Sequence, residues 1–192
     1  GLALPMELPA IWTTASGSLD LDRPVIVGIL NITPDSFSDG GRLPTIAAAL
    51  ARAQELLDGG AAMFDVGGES TRPGRPAPVS AADEMARVVP VVAALHQRWP
   101  AVPVSVDTVK AATARAVLAV GAAAINDVSG LRLDPDMAGV VAEAGAGMVL
   151  MHSRGTLSSM ASSDGADYGG DVVGGVIAEL REVGKFGVRR LY

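Results

Sequence analysis

Short apolar runs alternate with longer amphipathic runs along most of this chain. The apolar runs predict five strands, at Val25–Leu30, Ala62–Val66, Val102–Val106, Ala123–Asp127 and Gly147–Met151. Apolar positions at helical spacing predict five helices, at Thr45–Asp58, Ala81–Arg98, Lys110–Val120, Asp136–Ala144 and Asp171–Val183. Because the strands are continuously apolar rather than alternating, we expect them to be buried on both faces.

Five strand–helix units in succession indicate an α/β fold with parallel strands joined by right-handed crossovers. Ser80 and Asp136 are predicted N-caps of the helices that follow them. Glu7–Leu21 fits either a short hairpin or a strand that covers one end of the sheet. Residues 155–170, rich in Gly, Ser and Asp, are expected to form a mobile loop, and residues 1–192 a single domain.

Polar residues follow the apolar run of every predicted strand. They are Asn31 after the first strand, Asp65 after the second, Ser105 and Asp107 after the third, Asn126 and Asp127 after the fourth, and His152 after the fifth. In parallel α/β folds these ends point to one face, which is where ligands bind. A cap or a turn explains any one of them but hardly all five, so the pattern predicts a common ligand site.

The run Gly28–Gly41 crowds the largest number of polar residues behind one strand. Its Asn31, Asp35 and Asp39 offer the oxygen ligands that a hard cation such as Mg²⁺ prefers. The alternative is a solvated loop with two Asx-turns. Phe37, exposed among these polar residues, favours a binding role for the loop as a whole.

Asp107 and Asn126 end adjacent strands and are predicted to lie deep in the same site. A carboxylate beside an amide can pair with a heterocycle that presents N–H donors and acceptors, such as the edge of a 2-aminopyrimidinone. The alternatives are an N-cap of the next helix for Asp107 and a turn for Asn126.

Several other residues are open to two interpretations. Arg72 either binds an anion or a carboxylate, or is a solvated loop charge. Gly67–Gly68 would let the backbone approach a ligand closely. His152 is more commonly a structural histidine than a base, and Arg87 and Glu179–Glu182 are typical of solvated helix faces.

Composition narrows the class of protein. Of 192 residues, 49% are hydrophobic but only 4% aromatic, so the core is expected to be aliphatic. A net charge of −6 without basic clusters argues against a nucleic-acid surface. No cysteine is present to form a disulfide or a thiolate metal site, and no apolar run reaches the ~20 residues that span a bilayer. We therefore expect a soluble, cytoplasmic protein with no membrane partner and no signal peptide.

Five segments between about Val25 and Gly155 resemble, in order, the dihydropteroate synthase family, the pterin-binding enzymes of folate synthesis. They are Gly28–Gly41, Asp65–Gly74, Val104–Thr108, Ile125–Gly130 and Leu150–Gly155. The loops TPDSFSDGG and GGESTRPG are long and specific. Related methyltetrahydrofolate-binding methyltransferases share the barrel and the pterin pocket but are not expected to carry both loops. The resemblance implies a parallel (β/α) TIM-type barrel, of which this chain has five of eight units.

The resemblance also implies a reaction. A transferase of this family joins hydroxymethyl-dihydropterin pyrophosphate to p-aminobenzoate and releases pyrophosphate, assisted by Mg²⁺. It implies that Asn31 is the ligand of the metal and of pyrophosphate, and that Asp35 stabilises a cationic pterin intermediate. Arg72, in the second loop, is the third residue with an implied catalytic role.

Substrate contacts are implied for two further groups of residues. Those that frame p-aminobenzoate are Phe37, Thr71 and Pro73. Those on the pterin edge are Asp65, Asp107 and Asn126.

The later segments of the family have no counterpart in this sequence. We find no Asp-Pro-Gly followed by Gly-Phe-Gly-Lys, no Ser-Arg-Lys and no closing Arg-x-His, and Lys185, Arg189 and Arg190 match none of them. The favoured interpretation is a truncated or frameshifted enzyme. The alternatives are a chain that pairs with a second copy or a complementary fragment through open sheet edges, and a non-catalytic pterin-binding partial barrel. We expect little synthase activity from this chain alone.

Overall fold

Seven strands form a hairpin and a parallel sheet in the computed structural model, which describes residues 11–32, 46–69, 79–154 and 167–184. The antiparallel hairpin consists of β1 (Ile11–Thr14) and β2 (Gly17–Asp20). The parallel sheet contains, side by side in chain order, β3 (Val27–Asn31), β4 (Met63–Gly67), β5 (Val104–Asp107), β6 (Ala124–Asp127) and β7 (Gly147–Leu150). This order is the one expected for consecutive units of a parallel barrel.

A helix follows each strand of the parallel sheet. The helices are α1 (Ile46–Asp58), α2 (Ala81–Arg98), α3 (Ala111–Ala119), α4 (Met137–Glu143) and α5 (Val172–Gly184). Every predicted strand and helix is therefore confirmed, and the ends agree within two residues. None of the helices in the described ranges is both long and apolar enough to span a membrane.

The two faces of the parallel sheet differ in burial. One face packs under the helices, and its side chains are fully buried at Leu30, Val66, Val106 and Ile125. On the opposite face, Ile29 of β3 is 62% exposed and Val149 of β7 is 42% exposed. The prediction of strands buried on both faces is thus wrong for β3 and β7. These strands form the edges of the described sheet, so a neighbour covers them on one side only.

The hairpin covers the N-terminal end of the parallel sheet. The Ala15 N–H donates to the Ala123 carbonyl at 3.0 Å, and the Trp12 ring lies against the backbone of Gly147. A cavity of about 450 Å³ beneath the hairpin is lined in part by Trp12, Val27 and Met63. The prediction of a hairpin at one end of the sheet is confirmed for the part of Glu7–Leu21 that the structure describes. The polar residues at the strand ends lie at the opposite, C-terminal end of the sheet.

Of the two predicted N-caps, Ser80 forms a capping hydrogen bond and Asp136 does not. The Ser80 hydroxyl accepts a hydrogen bond from the Asp83 N–H at 3.1 Å and so caps α2 as predicted. Asp136 occupies the N-cap position of α4, but its side chain makes no capping hydrogen bond. Asp134 is used instead, because its carboxylate accepts from the Asp136 N–H at 3.1 Å and from the Ala111 N–H of α3 at 2.7 Å.

Two glycine positions test the packing of the hairpin. A Cβ at Gly147 would lie 2.8 Å from Trp12, whereas a Cβ at Gly139, inside α4, would meet nothing within 4 Å. We expect Gly147→Ala to lower the free energy of unfolding by about 1–3 kcal/mol, because the overpacked hairpin must shift. Gly139→Ala should raise it by about 0.5–1 kcal/mol through helix propensity. Urea unfolding of both variants measures the difference, and equal stability would contradict the docking of the hairpin.

Candidate functional site

The last residues of β3, β4 and β5 and the next-to-last residue of β6 form one row on the sheet face that points away from the helices. In the parallel ladders Asn31 pairs with Gly67, and Gly67 pairs with Asp107. Asp107 in turn pairs with Asn126, so the two lie side by side as the sequence predicts. Because the four strands run in the same direction and in register, residues far apart in sequence meet at one end of the sheet.

Asp65 lies one row deeper and fixes the Asn126 side chain. The Asp65 carboxylate accepts a hydrogen bond from the Ser105 hydroxyl with one oxygen and from the Asn126 Nδ2 with the other, at 3.0 Å. No residue of the described ranges donates a hydrogen bond to the Asn126 Oδ1. Asn126 is therefore held by its amine and presents a carbonyl oxygen as an acceptor for a ligand.

Asp107 is a carboxylate with an unusual environment. Burial, followed by the charges of Asp65, Glu84, Asp127 and Glu69 in that order, raises its pKa from 3.8 to about 7. Within the described residues, no group donates a hydrogen bond to this carboxylate. An acidic group of this kind, half ionised near neutral pH and without an internal donor, is suited to bind a ligand that supplies N–H groups.

The alternative roles that the sequence left open for this pair are taken by other residues. The N-cap position of α3 is Lys110, and the carboxylate that accepts from the first turn is Asp134 rather than Asp107. The turn after β6 is organised by the buried Asp127 rather than by Asn126. One Asp127 oxygen accepts from the Ser129 N–H and hydroxyl, at 2.8 and 2.7 Å, and the other from the Leu131 N–H at 3.0 Å.

Gly67 keeps the row of strand ends open. A Cβ at this position would lie 3.5 Å from the Asn31 Oδ1 and 3.8 Å from the Asp107 Cβ. The Asn31 and Asp107 side chains therefore flank the bare Gly67 backbone, as the predicted close approach of a ligand requires.

Gly68 has a different role from the predicted one. A Cβ there would lie 2.7 Å from the Val88 Cγ1 of α2, so glycine is needed for packing of the strand end against the helix. The Gly68 carbonyl accepts a hydrogen bond from the Arg87 guanidinium at 2.8 Å. The interpretation of Arg87 as a solvated helix charge is thus wrong, because it anchors the chain where it leaves β4.

A charged network beside Asp107 has no counterpart among the predicted site residues. The carboxylate of Glu84, which is only 1% exposed, accepts from the Thr108 and Thr113 hydroxyls at 3.0 and 2.8 Å. Lys110 Nζ lies 3.3 Å from the Glu84 carboxylate and 2.7 Å from that of Glu69. The sequence carries one signal for it, since Glu84 stands at helical spacing in the apolar stripe of α2.

A second charged cluster joins α5 to the loops after β6 and β7. The Glu179 carboxylate contacts the His152 Nε2 at 2.9 Å, the Arg154 Nε at 2.9 Å and the Arg132 guanidinium at 3.3 Å. Hydrogen bonds from Arg154 and then His152 lower the pKa of Glu179 from 4.5 to about 2. Glu179 is therefore not an ordinary solvated helix residue, and the described contact of His152 is structural.

Five predicted site residues lie outside the described residues, and they are Asp35, Phe37, Thr71, Arg72 and Pro73. Of the remaining four, Asn31, Asp107 and Asn126 share one row, and Asp65 contacts Asn126 from the row below. Within the described ranges, no three His, Cys, Asp or Glu residues converge on one point.

Comparisons with known proteins identify the family to which this arrangement of strands belongs. The sequence profile of the family described as pterin binding enzyme matches residues 27–190. This chain belongs to the pterin binding enzyme family. The match includes every strand of the parallel sheet, so the five strand–helix units are units of the family's TIM-type barrel.

Relatives in the pterin binding enzyme family are dihydropteroate synthases. The one from Bacillus subtilis is 48% identical over 148 residues, which are 77% of this chain and 51% of the relative. The one from Escherichia coli is 47% identical over 143 residues, which are 74% of this chain and 50% of the relative. The chain thus spans about half the length of the curated relatives it matches.

Solved structures of the family superpose closely on this chain. The Yersinia pestis dihydropteroate synthase, in complex with a sulfonamide drug, has a TM-score of 0.79 at 42% identity over 93% of this chain and 62% of its own. The Burkholderia cenocepacia enzyme, complexed with 7,8-dihydropteroate, has a TM-score of 0.76 at 39% identity over 95% and 61%. The predictions of family and fold class are confirmed.

The raised pKa of Asp107 predicts a cost in stability that a neutral residue removes. An acid with a folded-state pKa above its unfolded value stabilises the fold below about pH 4 and loses that contribution as pH rises through about 7. We expect Asp107→Asn to exceed the native chain in free energy of unfolding at pH 8 by about 2–4 kcal/mol, from ~1.4 kcal/mol per pKa unit. Urea unfolding between pH 5 and pH 8 measures this difference, and Asp58→Asn is the exposed control. A difference that does not grow with pH would contradict the assignment.

The lowered pKa of Glu179 predicts a pH-dependent attachment of α5. A carboxylate with a depressed pKa stabilises above its ordinary value of 4.5, and the contribution is lost as pH falls towards 2. We expect Glu179→Gln to speed amide exchange in α5 about tenfold at pH 7 and to leave β4–β6 unchanged, because the contacts with three cations weaken. Glu143→Gln, which removes the exposed pair with Arg115, is the control. Equal exchange in both variants would mean that packing alone holds α5.

Proposed function

We propose that this chain carries dihydropteroate synthase chemistry. In this reaction the bond between the pterin methylene carbon and pyrophosphate breaks, and the amine of p-aminobenzoate forms a bond to that carbon and loses a proton. The observation that supports it best is the row of Asn31, Asp107 and Asn126 in a chain whose relatives are dihydropteroate synthases. Solved relatives hold 7,8-dihydropteroate and 4-aminobenzoic acid.

The pterin edge is proposed to pair with Asp107 and Asn126. A 2-aminopyrimidinone presents adjacent N–H donors, from which a carboxylate can accept two hydrogen bonds. Its further N–H groups can donate to an amide oxygen. Asp65 would act on the pterin mainly through Asn126, because both of its oxygens accept hydrogen bonds from the protein. Ionised Asp107 gains two donors when the ligand binds, so binding lowers its pKa from about 7.

The other predicted site residues are proposed to act on the leaving group and on the second substrate. Asp35 would stabilise positive charge that develops on the pterin methylene as pyrophosphate leaves. Phe37, Thr71, Arg72 and Pro73 would frame p-aminobenzoate. Exclusion of water from the site would protect the cation, which water otherwise captures.

Asn31 is proposed to hold Mg²⁺ together with the pyrophosphate of the substrate. Its side-chain oxygen is a hard ligand at the mouth of the site. Mg²⁺ commonly keeps several waters and binds through one or two carboxylates and substrate phosphates, so Asn31 would be joined by phosphate oxygens and water. When bound, the ion neutralises the charge of the leaving pyrophosphate. A single domain over residues 1–192, pairing with a second copy and a cytoplasmic location remain predictions.

A non-catalytic pterin-binding partial barrel is the second candidate. The observation that favours it is the exposure of Ile29 and Val149, because a barrel that has closed would cover both side chains. Asp107 and Asn126 lie on the inner strands, whereas Asn31 lies on the edge strand β3. Binding without turnover is the result that this candidate predicts.

Titration calorimetry with hydroxymethyl-dihydropterin pyrophosphate and Mg²⁺ tests the pterin site. We expect Asp107→Ala to weaken binding at least 100-fold, because two charge-assisted hydrogen bonds, each of about 1.5–3 kcal/mol, are lost. Asp58→Ala, an exposed carboxylate on α1, is the matched control and should bind as the native chain does. Affinity that Asp107→Ala leaves unchanged would overturn the site.

Release of pyrophosphate on addition of p-aminobenzoate then separates the two candidates. Release that requires p-aminobenzoate and is lost in Asp107→Ala supports the synthase. Pterin binding without release supports the partial barrel, and failure of the native chain to bind the pterin contradicts both.

A further inference from the structure

The network of Glu69, Lys110 and Glu84 links two parts of the proposed site. Lys110 Nζ bridges two carboxylates, at 2.7 Å from Glu69 and 3.3 Å from Glu84. The Glu69 side chain is 11% exposed and the Glu84 side chain 2%, so the ammonium is shared in a largely dry environment. A bridge of this kind needs all three partners, because a buried carboxylate without its cation is costly.

Glu84 fixes one end of the bridge. Two hydroxyls, from Thr108 and Thr113, donate to its carboxylate, and the Thr108 N–H donates to the Asn126 carbonyl at 3.1 Å. Thr108 directly follows Asp107, so this end is rigidly joined to the strand ends that form the pterin row. Lys110 is held there too, because its N–H donates to the Thr108 hydroxyl at 3.2 Å.

Glu69 is the other end of the bridge. It is the last described residue before the segment 70–78, which carries Thr71 and Arg72 in the sequence. The chain before it is anchored by the hydrogen bond from Arg87 to the Gly68 carbonyl. The Glu69 side chain itself forms an ion pair with Lys110.

We propose that Lys110 is a positioning residue, which holds Glu69 relative to the Asp107 strand end through its bridge from Glu69 to Glu84. The proposal rests on the proposed function only where it predicts an effect on p-aminobenzoate, which Thr71 and Arg72 are proposed to contact. A purely stabilising role explains the network less well, because well-packed apolar side chains of similar volume commonly stabilise a core as much as a buried ion pair.

The charges around Asp107 agree with a geometric role. The groups that face it are Asp65 from β4, Glu69 after β4, Glu84 from α2 and Asp127 from β6. All four raise the pKa of Asp107, so the two carboxylates of the network oppose its ionisation rather than promote it.

Lys110→Met removes the bridge and Lys110→Arg retains a cation that can reach both carboxylates. We expect Lys110→Met to speed amide exchange at Gly68 and Glu69 at least tenfold and to raise the Kd of p-aminobenzoate at least tenfold in the presence of the pterin and pyrophosphate. The Kd of the pterin itself should change less than threefold. Lys110→Arg should recover most of both effects. Arg115→Met, an exposed cation on the same helix, should match the native chain.

A double variant covers the case in which Lys110→Met does not fold. Lys110→Met/Glu84→Gln buries one carboxylate fewer but still lacks the bridge, and we expect it to fold and to show the same faster exchange at Glu69. Native-like exchange in the folded variants would overturn the proposal, as would a parallel loss of affinity for both substrates. Were the native chain to bind neither substrate, the proposed function would fail, and the exchange measurement would still decide the position of Glu69.

Discussion

The in-register pairing of parallel strands is the constraint on which the candidate site depends. A parallel ladder places residue i of one strand beside a fixed partner on the next, so Asn31, Gly67, Asp107 and Asn126 form a row without any direct side-chain bond among them. A slip of one residue would turn every one of these side chains to the helix-covered face. The fully buried apolar residues on that face, such as Val66 and Val106, resist such a slip because it would expose them.

The strand ends bring several carboxylates close together, and the surroundings of each carboxylate show how the fold accommodates them. The Asp65 carboxylate accepts hydrogen bonds from Ser105 and Asn126, and the Asp127 carboxylate accepts them from the backbone and hydroxyl donors of its own turn. Asp107 has no such donors among the described residues, and its pKa rises instead. Among the described residues, the unfavourable cost of ionisation therefore falls on Asp107, where a ligand that donates hydrogen bonds can offset it.

Sequence patterns predicted the strand ends well because each depends on local information. An apolar run that stops at Asn31 or at Asp107 marks the end of a buried strand, and parallel topology brings such ends together. Contacts over long sequence distances left no comparable signal. Lys110 meets Glu69 across 41 residues, and Glu179 meets His152 across 27, so neither pair could be recognised from spacing. The capping carboxylate of α3 was missed for the same reason, since Asp134 comes from the loop before the next helix.

The position of each strand within the sheet divides the proposed chemistry into two parts that depend differently on their surroundings. Asp65, Asp107 and Asn126 lie on β4, β5 and β6, each of which has a hydrogen-bonded strand on both sides. Recognition of the pterin edge therefore rests on the most constrained part of the sheet. Asn31 lies on β3, an edge of the described sheet, where the neighbouring Ile29 is 62% exposed. A neighbour on this edge would affect the orientation of Asn31 far more than that of Asp107 and Asn126, so the proposed binding of the pterin and the proposed handling of its pyrophosphate depend on different parts of the sheet.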